Sequence, residues 1–182
     1  MAQKVVILNA YYPEYSIEHG ILDPLGLEVV VEEPGKDDKQ AIIEAVRGAA
    51  AIITRETEID AEVIESLDEC KAIVRYGIGV DNFDLKAAAA KGIYVANTPT
   101  YGCDAVAEQA VALMFGAMRR IATRDADVRA GKWDIGDAEV MWGFGGKTLG
   151  VVGLGRIARA FITKVSGLGW GRVLGYDPYL SV

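Results

Sequence analysis

Gly153-Leu154-Gly155-Arg156-Ile157-Ala158 follows the apolar run Leu149–Val152 and opens a helical stretch. That order suits a dinucleotide. The first glycine makes a tight turn, the second lets backbone approach a pyrophosphate, and the small last residue lets helix pack on strand. The N–H groups of Arg156 and Ile157, at the helix start, would face the anion. Asp177 closes the next strand about 20 residues on, where the ribose hydroxyls belong, and its charge repels a 2′-phosphate. These residues favour NAD over NADP. Taken alone, they leave open a glycine-rich turn in an unrelated α/β unit.

A second constellation is Arg75-Tyr76-Gly77-Ile78-Gly79-Val80-Asp81-Asn82. It lies at the carboxyl end of an apolar run, where parallel sheets place ligands. Two glycines around Ile78 let successive N–H groups turn inward and hold a carboxylate. Arg75 adds a charge-assisted contact. The same residues also read as a plain strand-to-helix turn with Arg75 on a solvated face. Cys70 and Cys103 are far apart and form no CxxC pair, and the one histidine, His19, excludes most histidine-rich metal sites. No metal site is expected, and two free thiols fit a reducing cytoplasm.

The elements that must carry these residues alternate. Strands are expected at Lys4–Asn9, Leu27–Val31, Ala50–Thr54, Lys71–Tyr76 and Tyr94–Ala96, with helices around Ile17–Leu25, Asp38–Val46, Asp60–Leu67 and Leu85–Ala90. Asp60 and Asp84 are placed to cap their helices, and Gly92 to end one. Such alternation means a parallel sheet covered on both faces. One long helix is then expected from Asp104 to about Arg129. Its apolar stripe is Val106, Ala110, Leu113, Met114, Ala117, Met118 and Ile121. Thr98-Pro99 breaks the preceding strand, so the domain boundary falls near Asn97–Tyr101. After the polar loop Lys132–Gly146 a new unit begins: strand Thr148–Val152, the glycine turn, a helix to about Lys164, and strand Arg172–Tyr176.

The chain has 182 residues, 19 Lys+Arg against 26 Asp+Glu for a net charge of −7, and is 51% hydrophobic. That is a folded chain of one or two domains. No apolar run approaches the ~20 residues of a membrane span. The acidic balance argues against nucleic acid as the main partner.

Several linked motifs together resemble the D-isomer-specific 2-hydroxyacid dehydrogenases. They are Arg75–Leu85, Gly92–Pro99, Val106-Ala107-Glu108 before a helix ending in Arg119-Arg120, Gly131-Lys132-Trp133, and Gly146–Ala158 closing on Tyr176-Asp177-Pro178. The resemblance implies an α/β fold: a flavodoxin-like parallel-sheet substrate domain over residues 1–99, then the first βαβ part of a Rossmann NAD-binding domain over 100–182. It makes Arg75, Tyr76, Gly77, Ile78 and Gly79 the substrate-carboxylate loop and places Val106 near the nicotinamide. Gly153, Leu154, Gly155, Arg156, Ile157, Tyr176, Asp177 and Pro178 become the cofactor site. It implies a D-2-hydroxy acid interconverted with its 2-keto acid by hydride transfer, and a homodimer paired through the NAD domain.

The family's catalytic Arg, Glu and His come from a later part of that domain, so no catalytic residue is assigned here. Neither His19 nor Glu108 matches one. Family members are much longer, and a two-strand βαβ piece cannot bury its own sheet, so 182 residues are expected not to be the natural unit. The resemblance also leaves a dinucleotide-sensing regulator of the C-terminal-binding-protein type, or a non-catalytic remnant, as alternatives.

Overall fold

The computed structural model describes residues 2–133 and 141–180. The chain divides into two compact units, Met1–Pro99 and Thr100–Val182.

The first unit holds five strands: β1 (Gln3–Leu8), β2 (Leu27–Glu32), β3 (Ala49–Thr54), β4 (Ala72–Arg75) and β5 (Tyr94–Ala96). Between them run α1 (Ser16–Leu22), a 3-10 turn at Asp23–Leu25, α2 (Lys39–Ala45), α3 (Ala61–Glu65) and α4 (Leu85–Ala90). The sheet order is β2-β1-β3-β4-β5, and every pairing is parallel. This is the flavodoxin-like order, with its switch point between β1 and β3. Near-continuous Val and Ile in β1, β3 and β4 let the sheet bury both faces. Val6, Ile7, Leu8, Ile52 and Ile73 have no solvent-accessible surface, and each such side chain contributes about 1.5–3 kcal/mol.

The caps follow from the same chemistry. Asp38, Asp60 and Asp84 each accept a backbone N–H of the helix that follows, at 2.9–3.0 Å. Gly92, with φ 71°, turns the chain out of α4.

The second unit holds α5 (Cys103–Met118), α6 (Ile121–Arg129), β6 (Thr148–Val152), α7 (Arg156–Val165) and β7 (Arg172–Tyr176). β6 and β7 pair in parallel from Thr148↔Arg172 to Val152↔Tyr176. One expectation needs correction. The single helix over 104–129 is two helices. Arg120 sits at φ 51°, ψ 39°, a left-handed conformation that costs a non-glycine residue about 1–2 kcal/mol. Its N–H bonds back to the Ala117 carbonyl and its carbonyl accepts from Arg124, closing α5 and opening α6. No Gly or Pro marks the place, so the sequence carried no break signal. The buried residue of α5 is Ala107, and Val106, Leu113 and Ile121 of the apolar stripe are exposed. Much of the expected loop Lys132–Gly146, residues 134–140, lies outside the described residues. No helix of the described residues is long and apolar enough to cross a membrane.

Candidate functional site

In the first unit, β1, β3 and β4 deliver their carboxyl ends to one edge of the sheet. Arg55 follows β3, Tyr76 follows β4, and the stretch Asn9–Tyr12 follows β1. The loop Gly77–Gly79 has each carbonyl held from outside. Thr98 donates its N–H to the Gly77 oxygen at 2.9 Å and its hydroxyl at 3.1 Å. The Asn97 amide donates to the Ile78 oxygen at 2.6 Å. Arg75 Nη1 donates to the Gly79 oxygen at 2.6 Å. Among the described residues, the N–H groups of Ile78 and Gly79 meet no acceptor. Carbonyls pinned and amides unpaired is the polarity of an anion nest.

Arg75 is committed to the backbone. Besides the Gly79 oxygen, its Nε donates to the Arg55 carbonyl at 2.9 Å. The guanidinium lies so close under the loop that a Cβ on Gly77 would meet Nη1 at 2.9 Å. A Cβ on Gly79 would meet Asp81 Oδ2 at 3.0 Å. Close approach, not a positive φ, requires the glycines here. The guanidinium braces the loop.

Tyr76 donates its hydroxyl to Glu18 Oε1 at 2.5 Å. Its ring meets Tyr12 edge-on, with centroids 5.3 Å apart. Burial first, then the bond to Glu18, pushes the phenol well above the ordinary tyrosine range. A raised value keeps the proton on the phenol, so Tyr76 is a donor at neutral pH and loses that role only as pH rises above that range. Arg55 lies 6.0 Å from the Tyr12 ring centre, within cation–π reach. Asn9 and Tyr11 both have positive φ, 47° and 56°. Buried Asn9 bonds Gly35 and Thr57, which holds the turn. Tyr12, Glu18, Arg55, Asn97 and Thr98 were not singled out from sequence as site residues. The signal for Arg55 was its place right after β3, where the rule about strand ends applies as it does after β4. His19 takes no part in this cluster and pairs in solvent with Asp23 at 3.1 Å.

In the second unit, Gly153 turns at φ 84° and donates its N–H to the Tyr176 oxygen at 2.7 Å. Leu154 is gripped at both ends. Its N–H donates to Asp177 Oδ2 at 2.8 Å, and its carbonyl accepts from Arg159 Nε at 2.8 Å. Asp177 Oδ1 accepts from the Tyr179 N–H. These two backbone donors hold the Asp177 carboxyl below its usual range. Its tie is therefore present at neutral pH and lost only as pH falls through that lowered value. A carboxylate has about four lone-pair sites, so the pair of bonds leaves room for further donors. A Cβ on Gly175 would strike the Leu154 side chain at 2.7 Å, whereas around Gly153 and Gly155 a Cβ would meet nothing within 4 Å. The turn is packed at Leu154 and open around its two glycines. Arg156 and Ile157 start α7 above it, and Tyr176 and Pro178 flank Asp177 on exposed backbone. Val106 is exposed on α5. No group of three or more metal-ligating side chains exists among the described residues.

The sequence model of the family described as "D-isomer specific 2-hydroxyacid dehydrogenase, catalytic domain" matches residues 5–166. The chain is 38% identical over 161 residues to the D-3-phosphoglycerate dehydrogenase of Mycobacterium leprae, covering 86% of this chain and 30% of that protein. It is 40% identical over 147 residues to the glyoxylate reductase of Thermococcus litoralis, covering 76% and 44%. Among solved structures it resembles the NAD+-bound 3-phosphoglycerate dehydrogenase of Entamoeba histolytica, with a TM-score of 0.74 and 28% identity over 100% of this chain and 56% of that one. The chain thus spans less than half the length of these two curated relatives.

Proposed function

Because the chain belongs to the D-isomer-specific 2-hydroxyacid dehydrogenase family, we propose that it serves an NAD-dependent interconversion of a small D-2-hydroxy acid and its 2-keto acid. Residues 1–99 would hold the acid and residues 100–182 would contribute to holding the cofactor. The observation that carries this reading is the Gly153–Gly155 turn. It is fastened at Leu154 by Asp177 and Arg159, and a Cβ on Gly153 or Gly155 would meet nothing within 4 Å. The residues present fit a dinucleotide: glycines leave space for a pyrophosphate, amides at the start of α7 face it, and Asp177 keeps free lone pairs for a ribose diol. NAD, when bound, supplies the carbon that accepts or returns hydride.

The chain's own residues supply position. The Ile78 and Gly79 N–H groups take the substrate carboxylate, while Arg75, Asn97 and Thr98 hold those groups in place. Arg55 and Tyr12 line the same sheet edge, where the rest of the substrate would lie.

Cofactor choice tests the reading. NAD should bind more tightly than NADP, and Asp177→Ser should erode the difference, because the carboxylate both accepts from the 2′-hydroxyl and repels a 2′-phosphate. Fluorescence titration of both nucleotides checks this, and equal affinities in the unaltered protein would refute it. A homodimer belongs to the same proposal. Val106, Leu113, Ile121 and Val128 on α5 and α6 remain exposed, apolar surface suited to a second copy. Sedimentation at micromolar concentration should give twice the chain mass; a monomer at that concentration refutes the pairing.

A further inference from the structure

Past buried Asn9 and Ala10, the segment from β1 into α1 is built at a cost that the core does not explain. Tyr11 is left-handed, with φ 56°, a conformation rare for a bulky side chain. Tyr11 is exposed, and α1 buries no residue. Strain concentrated at the carboxyl edge of a parallel sheet points to function rather than packing. What the segment does hold is Tyr76. Glu18 accepts the phenol proton at 2.5 Å, and Tyr12 packs edge-on against the ring. The Tyr15 hydroxyl accepts from the Tyr12 N–H at 3.2 Å, which fixes Tyr12 in turn.

Tyr76 is the last residue tied to the sheet, through its N–H to the Thr54 oxygen at 2.8 Å. The very next peptide starts the glycine loop. From that geometry we infer that Glu18 is a positioning residue: through Tyr76 it fixes the direction of the Ile78 and Gly79 N–H groups, and so sets affinity for the acid without touching it. The inference rests on the reading of Gly77–Gly79 as the carboxylate loop. A carboxylate near an anion site is otherwise adverse. The phenol occupies one of its lone pairs and turns it into a latch.

The test uses the full chain, with NADH present and glyoxylate, pyruvate and hydroxypyruvate as probes, followed by calorimetry. Tyr76→Phe keeps the ring and removes only the hydroxyl. It and Glu18→Ala should each weaken the best-bound probe about tenfold, as for a charge-assisted bond. Glu18→Gln should recover most of that, since an amide oxygen still accepts. The double variant Tyr76→Phe/Glu18→Ala should be no weaker than either alone, because the two residues share one interaction. NADH affinity should not change in any of them. Variants that bind the probe as well as the unaltered protein overturn the inference alone. So do additive losses, no recovery in Glu18→Gln, or NADH affinity falling in step. An unaltered protein that binds none of the three acids overturns the carboxylate reading and this inference with it.

Discussion

Residues 1–182 by themselves should form no detectable NADH from any D-2-hydroxy acid. Oxidising the hydroxyl needs a base within hydrogen-bond reach of its proton, and losing such a base typically costs ~10²–10⁴-fold. A base must also titrate near the working pH. Among the described residues, every group whose titration the fold clearly displaces is moved away from neutrality. Tyr76 is pushed up by burial and Glu18 and keeps its proton. Cys70 is pushed up by burial. Lys164 is held charged by Glu108 and Asp104, and Lys39 by Asp60 and Glu62. Asp177 and Asp60 are held as weakly basic carboxylates by the donors they accept. The one histidine, His19, pairs with Asp23 on an exposed face of α1. Absorbance of NADH across a panel of D-2-hydroxy acids checks the expectation. Turnover that survives His19→Ala would reveal a base among the remaining residues, and turnover abolished by it would place the base on α1.

The sheet was legible in the sequence because its strands are buried on both faces. Runs such as Val5–Leu8 and Ala49–Thr54 are continuous, mostly apolar segments, and Asp60 and Asp84 announced two of the three Asp caps. The glycine turn was legible because its chemistry is local: Gly153, Leu154 and Gly155 are contiguous, and Asp177 lies one βαβ unit away. What stayed hidden depends on tertiary proximity. Arg75 reads as a free charge in sequence, and only the approach of Arg55 and Gly79 turns it into a brace. Glu18 lies 58 residues from Tyr76, with no spacing rule to connect them. The break at Arg120 stayed hidden for another reason. Left-handed backbone is announced by glycine, and here an arginine adopts it.

Arg75→Met should weaken binding of the 2-keto acid by ~10- to 100-fold while the protein still melts cooperatively. Methionine keeps most of the length of the stem and removes both donated bonds, to the Arg55 and Gly79 carbonyls. A bond from a charged donor contributes about 1.5–3 kcal/mol, and about 1.4 kcal/mol is tenfold in affinity. Part of Arg75 reaches solvent, so one such bond's worth is the expected loss rather than the sum of two. Gly77→Ala should weaken binding for a linked reason. Its Cβ would lie 2.9 Å from Nη1 and 3.1 Å from Cζ of Arg75. A guanidinium held by two carbonyls cannot swing aside without giving one up.

The two substitutions therefore attack one contact from both sides. In the Arg75→Met background the methyl group added by Gly77→Ala has no guanidinium to meet, so the double variant should bind little more weakly than Arg75→Met alone. A direct salt bridge from Arg75 to the substrate predicts a different pattern, because then the methyl group and the lost charge act separately and their costs add. Calorimetric titration of the two single variants and the double variant decides between them. Additive losses would replace the brace with a direct contact, and an Arg75→Met protein that binds the acid normally would remove Arg75 from the site altogether.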